Sequence, residues 1–226
     1  MRARCMMLVD LHVHTNTSSR CSSLMPDELI RRAKELGLDA VCVTEHSTGQ
    51  GAQVACELAR KQGFLVFRGM EVFTDLGDML VFGWLERVRY YMLGFNELKE
   101  EVDRHHGLII PAHPCRGAMD ARHPNRTVLP AELTDSITAI ETRNGAVSRR
   151  CNQMAEDLSL KYRLPATGGS DAHHVNHLGR CVTVFEDRPE NEEELMEALR
   201  SGRYRPCYAE ELPAGSSCCP ASAEDA

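Results

Sequence analysis

Residues Val9-Asp10-Leu11-His12-Val13-His14 close an apolar run that begins at Met6, and their spacing decides how the rest of the chain is read. Side chains alternate along a strand with a period of two, so Asp10, His12 and His14 are expected on one face. Leu11 and Val13 then point the other way. Two imidazoles so spaced can share a metal ion, with the Asp10 carboxylate behind them to orient a ring. A His-X-His pair is a weak signal alone, since such residues are commonly packed or solvated. Its weight comes from the other apolar runs, which also end in His, Asp or Glu.

Outward from this stretch, Pro26 opens a helix with Asp27 and Glu28 in its first turn and Leu29, Ile30, Ala33 and Leu36 on one face. Ala40-Val41-Cys42-Val43-Thr44 is continuously apolar, as in a strand covered on both sides, and runs into Glu45-His46. A helix over about 51–62 precedes a strand at 64–67 that leads to Arg68-Gly69-Met70-Glu71. Residues 78–85 read as an added strand or hairpin arm. A helix over about 95–105 leads to Leu108-Ile109-Ile110 and then Ala112-His113-Pro114. The run 137–140 ends in Glu141-Thr142-Arg143-Asn144, and 164–167 enters Gly169-Ser170-Asp171-Ala172-His173. A strand at 181–185 and a helix over about 192–201 complete the pattern.

This rhythm predicts an α/β fold with a parallel sheet, as a small distorted barrel of about seven strand–helix units or as an open doubly wound sheet. A single domain is expected over 1–212, and the Ser/Ala/Pro/Gly-rich tail 213–226 is read as disordered. In either architecture the C-terminal strand ends converge on one crevice.

A net charge of −7 argues against a protein held along nucleic acid by a basic surface, and leaves room for a small phosphorylated substrate. No apolar run approaches a membrane span, and Asp10 comes too soon for a signal-peptide core. The ten cysteines lack the spacing of a disulfide framework and read as free thiols, so a cytoplasmic location is expected.

The strand ends supply His12, His14, Glu45, His46, Glu71, His113, Glu141, Asp171 and His173. Mixed imidazole and carboxylate ligation suits zinc, manganese or iron, and several ligand-bearing strands favour a polynuclear site with open positions. Hydrolysis by a metal-activated water is the chemistry such a site performs. Arg116, just after His113, is the leading phosphate clamp and Arg143 the next, ahead of Arg20, Arg122, Arg126 and Arg180. His174 and His177 are candidates to protonate the leaving group.

Taken together, Asp10-Leu11-His12-Val13-His14-Thr15, Thr44-Glu45-His46, Ala112-His113-Pro114 and Gly169-Ser170-Asp171-Ala172-His173 resemble the four motifs of the PHP (polymerase and histidinol phosphatase) domain family. The resemblance spans roughly 8–186. It implies a distorted (β/α)7 barrel of the PHP type, two or three divalent metal ions, and phosphoesterase activity. By position it implies that His12, His14, Glu71 and Asp171 hold one metal, that Glu71 bridges to a second held by His113 and Glu141, and that His46 and His173 belong to a third. Two departures stand out. Glu45 replaces the usual Asp, and the loop 16–23 offers neither the His nor the Asp that the third metal normally takes. Cys21 is the soft ligand in that loop, and Arg20 the competing cation.

The expected function is hydrolysis of a small phosphate ester, such as histidinol phosphate or a nucleotide, by a metal-bridging hydroxide. The alternatives are a nuclease-like phosphodiesterase acting on nucleotides or oligonucleotide ends, a metal-dependent amidohydrolase, and a non-catalytic accessory domain. The acidic balance and the lack of an aromatic–basic strip argue against an extended nucleic-acid surface.

Overall fold

The computed structural model describes residues 6–89, 91–116 and 131–212; Arg122, His123, Arg126 and the tail 213–226 lie outside them. The chain runs β1 (Met7–Val13), α1 (Pro26–Glu35), β2 (Ala40–His46), α2 (Gln50–Lys61), β3 (Leu65–Thr74), β4 (Gly77–Phe82), α3 (Phe95–Arg104) and β5 (Leu108–Pro111). It continues through β6 (Ile140–Asn144), α4 (Arg149–Tyr162), β7 (Ala166–Gly169), β8 (Cys181–Phe185), α5 (Glu192–Ser201) and β9 (Tyr204–Tyr208).

Seven strands form one curled sheet in the order β5-β4-β3-β2-β1-β8-β9, and β6 pairs with β7 separately. Backbone hydrogen bonds bring the second pair against both sides of the curl. His14 N donates to Ala172 O at 3.0 Å beyond β7, and Thr138 N donates to Ile109 O at 2.9 Å before β6.

The expected parallel sheet holds only in part. β1, β2 and β3 are parallel, as are β6 and β7, but β4 is antiparallel to β3 and β5, and β8 is antiparallel to β1 and β9. The β3–β4 connection is Asp75-Leu76 followed by Gly77 at φ +111°, far too short for the crossover that parallel pairing requires. β9 was not foreseen, because Tyr-Arg-Pro-Cys-Tyr carries Pro206 and no apolar run. It forms the sheet edge, where a proline is tolerated.

Inside the curl, Met7, Val9, Leu11, Phe67, Leu80, Phe82 and Phe185 pack together with Leu195 and Leu199 of α5 closing one end. Outside, α1 and α2 cover Leu8, Val13, Val41 and Val43, while α3 covers Met70, Val72, Val81 and Ile109. These assignments expose an irregularity in β1. Leu8 and Val13 share the outer face although their numbers differ in parity, and the β1–β2 register shifts between Asp10 and Val13. An extra residue in the strand turns His12 and His14 inward and leaves Asp10 out of step with them.

Asp10 therefore does not orient an imidazole, contrary to the alternation argument. Its carboxylate accepts from Ser170 N (2.8 Å), Gly179 N (2.9 Å) and His12 N (3.3 Å). It fastens the segment after β7 to β1, and burial pushes its carboxyl up to about 6. Asp10→Ala strands these donors in the interior and is expected to cost about 3 kcal/mol of stability, readable in urea unfolding. A cost below about 1 kcal/mol would contradict the fastening role.

Candidate metal centre

The inward turn of β1 places His12 and His14 at the open end of the curl, both fully buried. His12 Nδ1 donates to Glu141 Oε1 at 3.0 Å, which aims Nε2 into the crevice, 3.0 Å from His14 Nε2. Asp171 Oδ1 lies 3.5 Å from His12 Nε2 and 3.4 Å from His14 Nε2. Glu71 meets four rings: Oε1 lies 3.5 Å from His12 Nε2 and 3.0 Å from His113 Nε2, and Oε2 lies 3.3 Å from His14 Nε2 and 2.9 Å from His46 Nδ1.

These separations fit metal ions. Bonds of about 2.0–2.2 Å put neighbouring ligand atoms about 3.0–3.5 Å apart in tetrahedral or octahedral geometry. Three donor groups converge within 4.8 Å: His12, His14 and Asp171; His12, Glu71 and His113; and His14, His46 and His173. The first two are wholly buried, and the third reaches the rim through His46.

The backbone is shaped to the same end. His113 and Asp171 both adopt left-handed conformations, at φ +33° and +53°, which such residues rarely adopt except where the surroundings enforce them. His113 N is held by Glu141 Oε2 at 2.8 Å and Asp171 N by His12 O at 2.7 Å. Gly169 lies so close that a Cβ there would stand 2.5 Å from His12 Cβ, so only glycine fits.

Burial opposes charge on His12, but Glu141, Asp171 and Glu71 outweigh it and raise its pKa well above the usual histidine range. Burial likewise opposes ionisation of Glu71 and Asp171, yet His12 and the neighbouring rings hold both carboxylates well below their usual range. Burial takes His14 down to about 4. These directions favour a proton on His12 among ionised carboxylates.

Not every expected ligand falls in one of these three groups. Glu45 is outside all three donor groups: its buried carboxylate accepts from Thr15 N (3.2 Å) and from the Thr15 and Ser19 hydroxyls. Ser19 Oγ in turn lies 3.4 Å from His14 Nδ1, so Glu45 acts on His14 through Ser19. Glu141 has both oxygens engaged, by the His12 ring and by His113 N and Asn144 Nδ2. It performs the ring-orienting task expected of Asp10. Cys21 Sγ is 3.2 Å from His46 Nε2 at the rim.

Among the arginines, Arg116 pairs with Asp171 Oδ2, while Arg143 turns outward to Glu211 and stacks 4.6 Å over Tyr208. His174 caps the short turn Val175–His177 by accepting from Asn176 N at 3.3 Å, and neither His174 nor His177 joins a donor group. Two residues went unnoticed in the sequence. Asn144 bridges Glu141 and Asp171, and Asp78 Oδ2 approaches His113 Nδ1 at 3.8 Å. Asn144 closes the Glu-Thr-Arg-Asn run that ends β6, and that position was its only signal.

A curled α/β sheet thus carries at its open end a multi-imidazole, carboxylate-centred donor cluster of a kind that can hold metal ions. The sequence profile of the PHP domain matches residues 10–137 and that of the PHP-associated segment matches 149–204, so the chain belongs to the PHP family. Residues of the PolC-type DNA polymerase III of Caldanaerobacter subterraneus subsp. tengcongensis are 38% identical over 76 residues, covering 33% of this chain but 5% of the polymerase.

Solved structures share the fold. A two-domain protein of Bacteroides vulgatus containing a predicted PHP-like metal-dependent phosphoesterase superposes with a TM-score of 0.72 at 20% identity, over 90% of this chain and 65% of that one. A lesion-specific endonuclease of Pyrococcus furiosus gives 0.65 at 21% identity, over 89% and 57%. The architecture is accordingly the PHP-type barrel, with the antiparallel strands described above as its distortion. No helix among the described residues is long and apolar enough to cross a membrane.

Two outcomes follow. Metal binding must displace the His12 proton, so affinity should rise with pH through neutrality, and calorimetry in buffers of differing ionisation enthalpy should register about one proton released per chain from His12. Affinity independent of pH would contradict that protonation state. Glu141→Ala should weaken metal binding about 10–100-fold, whereas Glu45→Gln should keep the full metal stoichiometry; loss of an ion in Glu45→Gln would make Glu45 a ligand.

Proposed function

We propose that this protein hydrolyses phosphate esters with divalent metal ions held by His12, His14, Glu71, His113 and Asp171. A further ion would be held at the rim by His46 and His173, with Cys21 beside them. The observation that carries the reading is the buried Glu71 carboxylate facing four imidazoles, a donor set suited to bridging two ions. When bound, such ions supply a water nucleophile reactive at neutral pH and offset charge building on the phosphoryl oxygens. Zinc, manganese or iron suits these ligands.

The chain's own groups complete the site. Glu141 holds the His12 ring, Glu45 and Ser19 hold His14, and Asn144 steadies Glu141 and Asp171. Arg116, half-exposed beside Asp171, offers a planar guanidinium to a substrate phosphate. Phosphomonoesters are the first substrate class. Phosphodiesters are the second reading, favoured by the nucleic-acid enzymes among the relatives. Those relatives leave the expected absence of a nucleic-acid surface without support.

The test is metal-loaded protein assayed on p-nitrophenyl phosphate and bis-p-nitrophenyl phosphate. Hydrolysis of either, lost by at least about 1,000-fold in His12→Ala/His14→Ala, is the expected result. Faster turnover of the diester would place the second reading first. A fully loaded protein inert towards both esters would overturn phosphoester hydrolysis.

A further inference from the structure

The segment after β4 reads Leu85-Glu86-Arg87-Val88-Arg89-Tyr90-Tyr91-Met92, a local aromatic–basic strip in an acidic chain. Arg87 and Arg89 are exposed and form no ion pair among the described residues. Tyr91 is 89% exposed, far more than a tyrosine used for packing. Glu86 is the one acid in the strip.

This strip is fixed beside the metal centre. Val88 N donates to Ser47 O at 2.9 Å and Gly49 N to Leu85 O at 3.3 Å, while Ser47 N donates to Glu71 O at 2.8 Å. The loop is thus clipped to the residue after His46, itself strained at φ +55°. Tyr91 lies 5.5 Å from the Phe73 ring, centroid to centroid, and Leu93 N donates to Phe73 O at 3.0 Å. Phe73 is two residues beyond Glu71 on the same strand face, about 7 Å along β3. An open concavity of about 690 Å³ lies along Gln50 and residues 85–89.

We propose that Arg87, Arg89 and Tyr91 form a docking track for single-stranded nucleic acid that leads to the metal centre. The guanidinium groups take backbone phosphates, and the Tyr91 face stacks on a base. The track deepens the phosphoesterase reading and rests on it: the scissile ester would belong to a nucleotide chain, with several nucleotides beyond the reacting phosphate gripped outside the crevice. Any aromatic base can stack, so sequence preference would be slight.

The experiment measures binding of a fluorescein-labelled oligothymidylate by anisotropy on the full chain, metal-free and metal-loaded, with polyglutamate as competitor. Arg87→Glu/Arg89→Glu should weaken binding at least about 10-fold and lower the salt slope by about 1.4, the share of two phosphate contacts on a single strand. Tyr91→Ala should weaken it about 10-fold. Hydrolysis of p-nitrophenyl phosphate or its diester should stay at the wild-type level in both variants, which also shows that they fold. Unaltered oligonucleotide affinity in the variants, or none in the wild type, would overturn the track. Equal capture of polyglutamate, with Tyr91→Ala silent, would overturn it in favour of a surface for acidic chains. Failure of the phosphoesterase reading is seen separately, as a wild type that hydrolyses neither ester.

Discussion

Glu71 is a buried carboxylate whose two oxygens approach His12, His14, His46 and His113 between 2.9 and 3.5 Å. An ion taken out of water needs compensating charge nearby, or the fold that buries it loses stability. Much of the architecture serves this requirement. β3 runs on past the residue so that Glu71 sits inside a strand rather than on a loose end. The irregularity in β1 turns two imidazoles towards it, and left-handed backbone at His113 and Asp171 brings two further ligands in from the far side. Positive charge gathers on the other side of the balance: Arg116 pairs with Asp171, and the carboxylates of Glu141, Asp171 and Glu71 raise the pKa of His12.

Around this centre, carboxylates divide into two kinds. Glu71 and Asp171 face the crevice and remain ionised. Glu141, Glu45 and Asp10 face away, and each positions something else: the His12 ring, the Ser19–His14 contact, and the segment after β7. Ring orientation by such groups controls metal affinity as strongly as many ligands do. The longer Glu45 arm, in place of the family's Asp, reaches the loop hydroxyls of Thr15 and Ser19 and lies outside the three donor groups. That leaves Cys21 as the distinctive group beside His46 at the rim.

The residues that converge at the open end were legible in the sequence because each ends or interrupts an apolar run. His12, His14, His46, Glu71, His113, Asp171 and His173 were all visible that way. The division of labour was not. Strict alternation put Asp10 with the histidines, and only a register shift in β1, which no composition signals, separates them. The hairpin arm expected at 78–85 is β4, whereas the antiparallel pairing of β8 with β1 carried no local signal and β9 was hidden by its proline. The reading that the chain lacks an aromatic–basic strip overlooked Arg87, Arg89 and Tyr91, since a whole-chain charge sum averages away a local patch.

On this account Glu71 would lie between two ions, one held also by His12, His14 and Asp171 and the other by His113. Anomalous scattering from crystals grown in manganese, measured on both sides of the metal edge, tests it directly. Two peaks are expected within bonding distance, about 2.0–2.2 Å, of opposite Glu71 oxygens, with the Arg116 guanidinium displaced from Asp171. A single peak remote from Glu71, or ions ligated by Glu45 in its place, would contradict the account.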